Sequence, residues 1–207
     1  VTGQFACEDN VAPPLSVHDA LSEPRRDFSR VVLPPMSYIH EQDKVKTRWP
    51  AAEAFITEHG LNETFGPQTA PVGIVVQGGM FNSVIRALQR LGLADIEGRS
   101  AVPIYVLNVT YPLVREEFLS FAKGKEALLV VEEGQPEFIE QGLATMLNRA
   151  RSPVALHGKD IFPMAGEYTG QVMLDSVTQF LRDTAPQLLP GQVRALLLKS
   201  SARRSHA

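Results

Sequence analysis

Val72-Gly73-Ile74-Val75-Val76-Gln77-Gly78-Gly79 is a short apolar run that stops at a glutamine and two glycines. The design recurs in Ile104-Tyr105-Val106-Leu107-Asn108-Val109 and in Ala127-Leu128-Leu129-Val130-Val131-Glu132-Glu133. Runs of this length rich in valine, isoleucine and leucine fit strands buried on both faces. Amphipathic segments lie between them, so the stretch reads as parallel strands joined by crossover helices, a wound α/β sheet. In open sheets of this kind ligands gather beyond the carboxyl ends of the strands. Gln77, Gly78, Gly79, Asn82, Asn108, Thr110, Tyr111, Glu132 and Glu133 are therefore expected along one rim, as candidates for ligand or interface contact.

The intervening segments carry helix signals. From Gly79 to about Leu91, Val84, Ala87, Leu88 and Leu91 are spaced to face the sheet while Arg86, Gln89 and Arg90 face water, and Gly92 ends the run. After Pro112 a second helix carries Val114, Phe118, Phe121 and Ala122 on one side, with Glu116 and Glu117 in the first turn, where negative charge suits the helix dipole. Pro136 opens a third, Glu137 to Arg149, whose Phe138, Ile139, Leu143, Met146 and Leu147 are expected on a single apolar face. Val154 to Leu156 reads as a last short strand, Val172 to Leu181 as a fourth helix and Gln192 to Ser200 as a final one.

Upstream, prolines at 13, 14, 24, 34, 35 and 50 interrupt any hydrophobic period. Residues 1–48 are therefore expected to form an extended arm, with Val31-Val32-Leu33 as an anchor. The α/β domain is placed at 49–185, starting with a helix over 49–60 that puts Trp49, Ala52, Phe55, Ile56 and His59 on one stripe. Leu61 to Phe65 is expected as an edge strand, and 186–207 as a helix and tail leading to a next domain. Val1 in place of an initiator methionine suggests a segment of something longer.

Composition narrows the function classes. The 207 residues are 44% hydrophobic and 21% charged with a formal net charge of −3, which gives no general attraction to nucleic acid or anionic membranes. No apolar run approaches bilayer length, and the first ten residues lack the pattern of a signal peptide. Cys7 is the only cysteine, so an internal disulfide, a cysteine-ligated cluster and a CxxC zinc site are excluded, which fits a cytoplasmic protein.

The chemistry-bearing residues give restrained readings. Gln77-Gly78-Gly79 forms either a nest of N–H groups for an anion or a plain strand-to-helix turn, and it fits neither the dinucleotide nor the Walker spacing. Adjacent strand residues point to opposite sides, so Glu132 and Glu133 do not work as a catalytic pair; a structural role on backbone donors or against a partner is favoured. His40, His59 and His157 lack ligand spacing, so no metal is expected. Ser83 lacks a nucleophile elbow, so no hydrolase is expected. No catalytic residue is assigned.

Several short motifs, in order and spacing, resemble a known family over about residues 27–165. Val31 to Pro35, Tyr38-Ile39-His40, Arg48 to Ala52, Gly73 to Val76 with Gly78, and Ala87-Leu88 with Leu91-Gly92 are similar to the middle region of indolepyruvate ferredoxin oxidoreductases. So are Tyr111-Pro112-Leu113, Leu129 to Glu133, Ile139-Glu140-Gln141 and His157-Gly158-Lys159-Asp160. The resemblance implies a three-layer α/β/α domain with a mostly parallel, five-stranded sheet like the transketolase C-terminal domain. It also implies a parent enzyme that uses thiamine diphosphate, magnesium and iron–sulfur clusters to convert aryl pyruvates and coenzyme A to acyl-CoA, passing electrons to ferredoxin.

The implied partners are other domains of that enzyme and a second subunit. Gly79 to Asn82 and Tyr111 depart from residues common in the family, which bears on the choice of 2-oxo acid. The chain has neither a GDG-type thiamine-diphosphate motif nor a cysteine series, so it is expected to bind none of these cofactors and to be inactive alone. The alternative is a stand-alone α/β module that binds a phosphate-bearing ligand, coenzyme A or a nucleotide, at the Gly78-Gly79 turn.

Overall fold

A computed structural model describes residues 33–192. The chain divides into two compact units, Val1–Arg48 and Trp49–Ala207.

In the first unit the expected extended arm is corrected from Met36 onward. Met36–Asp43 is an α-helix, α1, and Lys44–Arg48 continues as a π-helical turn. Pro35 occupies the N-cap, where a missing N–H costs nothing, and no further proline occurs before Pro50, so nothing in 36–48 bars a helix. α1 buries none of its residues, and Leu33, expected as an anchor, is 64% exposed. Arg48 closes the unit with a 2.9 Å ion pair to Asp43. Residues 1–32 of the proposed arm, with Val31 and Val32, lie outside the described residues.

The second unit begins with α2, Trp49–Glu58, of which only Ile56 is buried. Successive helical positions are about 100° apart, so Phe55 and Ile56 cannot both meet the sheet. Phe55 turns outward and stacks on His59 at 3.9 Å, which corrects the expected single stripe. The chain then runs β1 (Glu63–Phe65), β2 (Val72–Gln77), a 3₁₀ turn (Gly78–Met80), α3 (Phe81–Arg90), β3 (Ile104–Leu107), α4 (Arg115–Ala122), β4 (Ala127–Val131), α5 (Phe138–Arg149), β5 (Ala155–His157) and α6 (Gly170–Thr184).

The strands lie in the order β1-β3-β2-β4-β5. β1 is antiparallel to β3, while β2–β3, β2–β4 and β4–β5 are parallel, so the sheet is five-stranded and mostly parallel as expected. Alternation along the strands splits the core in two. Ile74, Val76, Ile104, Val106, Leu129 and Val131 face α3 and α6, where they meet Val84, Leu88, Met173, Val177 and Phe180. Val75, Tyr105, Leu107, Leu128 and Val130 face α4 and α5, against Phe118, Phe121, Ile139, Leu143 and Leu147. Each crossover helix thus buries one stripe and the sheet buries both faces, which yields three layers.

Two boundaries move. β3 and β4 stop at Leu107 and Val131, so Asn108, Val109, Glu132 and Glu133 lie just past the strands. The packed domain also runs beyond residue 185. A 3₁₀ turn over Pro186–Leu188 carries Leu189, 2% exposed, back into the α3–α6 core, so the tail placed from residue 186 begins later. The helix expected over Gln192–Ser200 lies, past Gln192, outside the described residues.

Candidate functional site

The parallel register brings the carboxyl ends of β2, β3 and β4 side by side, with Gln77 opposite Leu107 and Val76 opposite Val131. The polar groups there are spent on the fold. Glu132, 6% exposed, accepts from the backbone N–H of Ile139 through both oxygens, at 3.0 and 3.1 Å, and from that of Glu140 at 3.1 Å. It caps the start of α5, where the helix dipole also favours a negative charge. Glu133 accepts from the Tyr168 N–H at 2.6 Å, and its own N–H donates to Gln77 Oε1 at 3.2 Å. The two glutamates therefore serve separate backbone segments.

Gly78 owes its identity to Asn108. A Cβ at residue 78 would lie 2.6 Å from Asn108 Oδ1. The Asn108 amide passes this gap to donate to the Leu61 carbonyl at 2.9 Å and to Glu63 Oε2 at 3.0 Å, tying β3 to the edge-strand segment. Gly79 faces open space, with nothing within 4 Å of a Cβ built there. Asn82 is exposed on the other side of the 3₁₀ turn, in a depression with Phe65, Phe81 and Arg99, and so is separated from the strand-end groups.

Between α2, the 110–115 loop and α5 runs an open groove of about 1000 Å³. Four of the expected rim residues line it, namely Gln77, Thr110, Tyr111 and Glu132, together with Trp49, Glu53, Leu113, Arg115, Phe138, Ile139, Gly142, Met146 and Arg149. Trp49 and Tyr111 meet edge to face at 5.0 Å, and the Trp49 indole N–H donates to Glu53 at 2.9 Å. Gly142 makes room for Leu113, whose Cδ1 would lie 2.8 Å from a Cβ there.

Phe138 is 68% exposed, which corrects its expected place on the core face of α5. Ile139, Leu143 and Leu147 are the buried stripe. Phe138, Gly142, Met146 and Arg149 form a second stripe offset by one residue, about 100° around the helix, and it points into the groove. That spacing was present in the sequence. The contributions of Trp49, Glu53 and Arg115 were not, because long-range packing sets them.

Two further polar clusters brace the scaffold. Tyr105, 2% exposed, donates to Glu117 at 2.8 Å and accepts from Asn62. Burial, with the Glu117 carboxylate beside it, pushes its phenol pKa far up. Nearby, Lys125 is buried over the Phe121 ring and donates to the Gln68 carbonyl at 3.0 Å, and burial holds its ammonium pKa below the usual lysine range.

The second cluster lies beyond β5, where Asp160 accepts from the Gly158 N–H and contacts His157 Nδ1, each at 2.7 Å. Burial alone would raise its carboxyl pKa, but the Gly158 N–H and the His157 ring outweigh it and bring it below the ordinary value. Lys159 reaches back to the Glu132 carbonyl and the Tyr168 hydroxyl, both at 2.7 Å. Among the described residues no buried side-chain polar atom lacks a hydrogen-bond partner, and no group of three or more His, Cys, Asp or Glu is placed to hold a metal.

A mostly parallel sheet covered by helices on both faces, with its strand-end polar groups internally bonded and an aromatic groove beside them, defines a three-layer α/β/α domain. Residues 62–181 match the profile of the indolepyruvate oxidoreductase domain, and the chain belongs to that family. It is 31% identical over 160 residues to indolepyruvate oxidoreductase subunit IorA of Methanothermobacter thermautotrophicus, covering 74% of this chain and 24% of that protein. The chain spans about a quarter of the length of the curated relatives it matches.

Two solved structures are also similar. One is a 2-oxoglutarate:ferredoxin oxidoreductase from Magnetococcus marinus with 2-oxoglutarate, coenzyme A and succinyl-CoA bound (TM-score 0.46, 18% identity, 72% of this chain and 24% of that one). The other is a split-gene transketolase in an inactive β4 tetramer (TM-score 0.43, 20% identity, 60% of this chain and 42% of that one).

Proposed function

We propose that this chain is the middle, transketolase C-terminal-like domain of a cytoplasmic 2-oxoacid:ferredoxin oxidoreductase, and that it supplies inter-domain surface rather than catalytic groups. The parent reaction is the oxidative decarboxylation of an aryl pyruvate to an acyl-CoA, with electrons passed to ferredoxin. Family membership supports the parent class. One observation carries the structural role: the strand-end groups that a wound sheet would turn toward a ligand are committed to its own backbone. Glu132 is taken by Ile139 and Glu140, Glu133 by Tyr168, and Asn108 by Leu61.

The parent's cofactors do not fit the donors described here. Magnesium and a diphosphate need convergent oxygen ligands and open N–H groups, whereas these carboxylates are consumed as caps and Asn108 Oδ1, an acceptor, lies against Gly78.

The test is turnover. The purified chain mixed with aryl pyruvate, coenzyme A, thiamine diphosphate, magnesium and ferredoxin is expected to form no acyl-CoA and reduce no ferredoxin, and turnover would overturn the reading. Thermal melts with coenzyme A, nucleotides and inorganic phosphate address a phosphate site at Gly78-Gly79, because a ligand that binds only the folded state raises the melting temperature. No shift is expected.

A further inference from the structure

The groove beside the strand ends is lined by aromatic and aliphatic side chains together with two arginines and two glutamates. Tyr111 and Phe138 are 69% and 68% exposed, and they share the groove with Leu113 and Met146. Arg115 opens α4 and Arg149 ends α5. Both guanidiniums are exposed, and neither has an ion pair or hydrogen bond among the described residues. We propose that an apolar, carboxylate-bearing segment from another domain of the parent oxidoreductase seats in this groove. This rests on reading the chain as one domain of that enzyme.

Three observations select that occupant. Clustered exposed aromatic and aliphatic side chains are costly in water and mark contact surfaces when charged residues rim them. The two carboxylates in the groove are already bonded within the domain, Glu132 to backbone N–H groups of α5 and Glu53 to the Trp49 indole N–H, so of its charged side chains Arg115 and Arg149 alone lack a partner among the described residues. Two unpaired arginines ask for carboxylates, and charge complementarity of this kind sets register and partner choice. Chain to supply such a segment exists in the relatives, of which the matched part is about a quarter.

The experiment uses the complete parent enzyme with Phe138→p-benzoylphenylalanine, an aromatic replacement at an exposed position. Irradiation is expected to give an adduct with a peptide from another domain or subunit in which an apolar residue stands beside Asp or Glu. Arg115→Glu together with Arg149→Glu is expected to lower the adduct yield roughly threefold, the scale of two exposed ion pairs.

No adduct, an adduct confined to residues of this domain, or one joining two copies of this domain would overturn the proposal. Ferredoxin reduction by the same preparation separates the two ideas. Turnover without an adduct sinks the groove and leaves the enzyme reading, whereas an adduct without turnover on any aryl pyruvate does the reverse.

Discussion

Both carboxylate oxygens of Glu132, one residue past the end of β4, accept from the backbone N–H of Ile139 in the first turn of α5. A helix leaves its first N–H groups without partners, and here a buried side chain from the neighbouring strand supplies the acceptors. Glu132→Ala should therefore destabilise the domain by about 1–3 kcal/mol, the cost of stranding buried donors. Glu132→Gln, which keeps one acceptor and loses the charge, should cost less. Urea denaturation followed by circular dichroism measures both, and equal losses for the two variants would show that the contact is not a cap.

Gly78 and Gly79 separate in the same way. Alanine at 78 puts a Cβ against Asn108 Oδ1 and forces the amide off the Leu61 carbonyl, so a loss of roughly 1–2 kcal/mol is expected. Alanine at 79 meets nothing and should stay within about 0.5 kcal/mol of the parent. Equal losses in thermal melts would contradict the Gly78–Asn108 contact.

The layers were legible in the sequence because continuous apolar runs and helical stripes are local signals. Val75 and Val76 alone, alternating between the two cores, show how β2 is covered on both faces. The helix at Met36–Asp43 was hidden by the prolines on either side of it, whose signal for extended chain outweighed a segment that contains none. The rim was only partly legible. Thr110 and Tyr111 do reach the groove, but Asn82 turns to the other side of the 3₁₀ turn, and no local pattern says that Trp49 will meet Tyr111 across more than sixty residues.

Lys125 gives a pH dependence of definite sign. Its folded-state pKa lies below the ordinary lysine value of about 10.4. Between the two values the unfolded chain binds more protons than the folded one, so unfolding free energy rises with pH in that interval. Tyr105 opposes this only above the ordinary tyrosine value of about 10. Its folded pKa is raised, so its contribution is complete below that value and fades above it. As pH approaches about 10 from below, urea midpoints should climb more steeply for the parent than for Lys125→Met. Parallel slopes would mean that the ammonium is not desolvated.

Gly142 tests the shape of the groove with opposing terms. Alanine there gains about 0.5–1 kcal/mol of helix propensity, but its Cβ falls 2.8 Å from Leu113 Cδ1, the end of a flexible side chain that borders the groove. Leu113 can rotate into the open volume, so the terms should nearly cancel and leave stability within about 0.5 kcal/mol. Valine adds bulk and a β-branch on the same helix and should cost about 1–3 kcal/mol. Trp49, the only tryptophan in the chain, shares the groove with Leu113 and reports the rearrangement directly. Gly142→Ala is expected to shift its fluorescence emission while the melting temperature holds. A full propensity gain with unchanged emission would show that Leu113 does not press on α5 at this position.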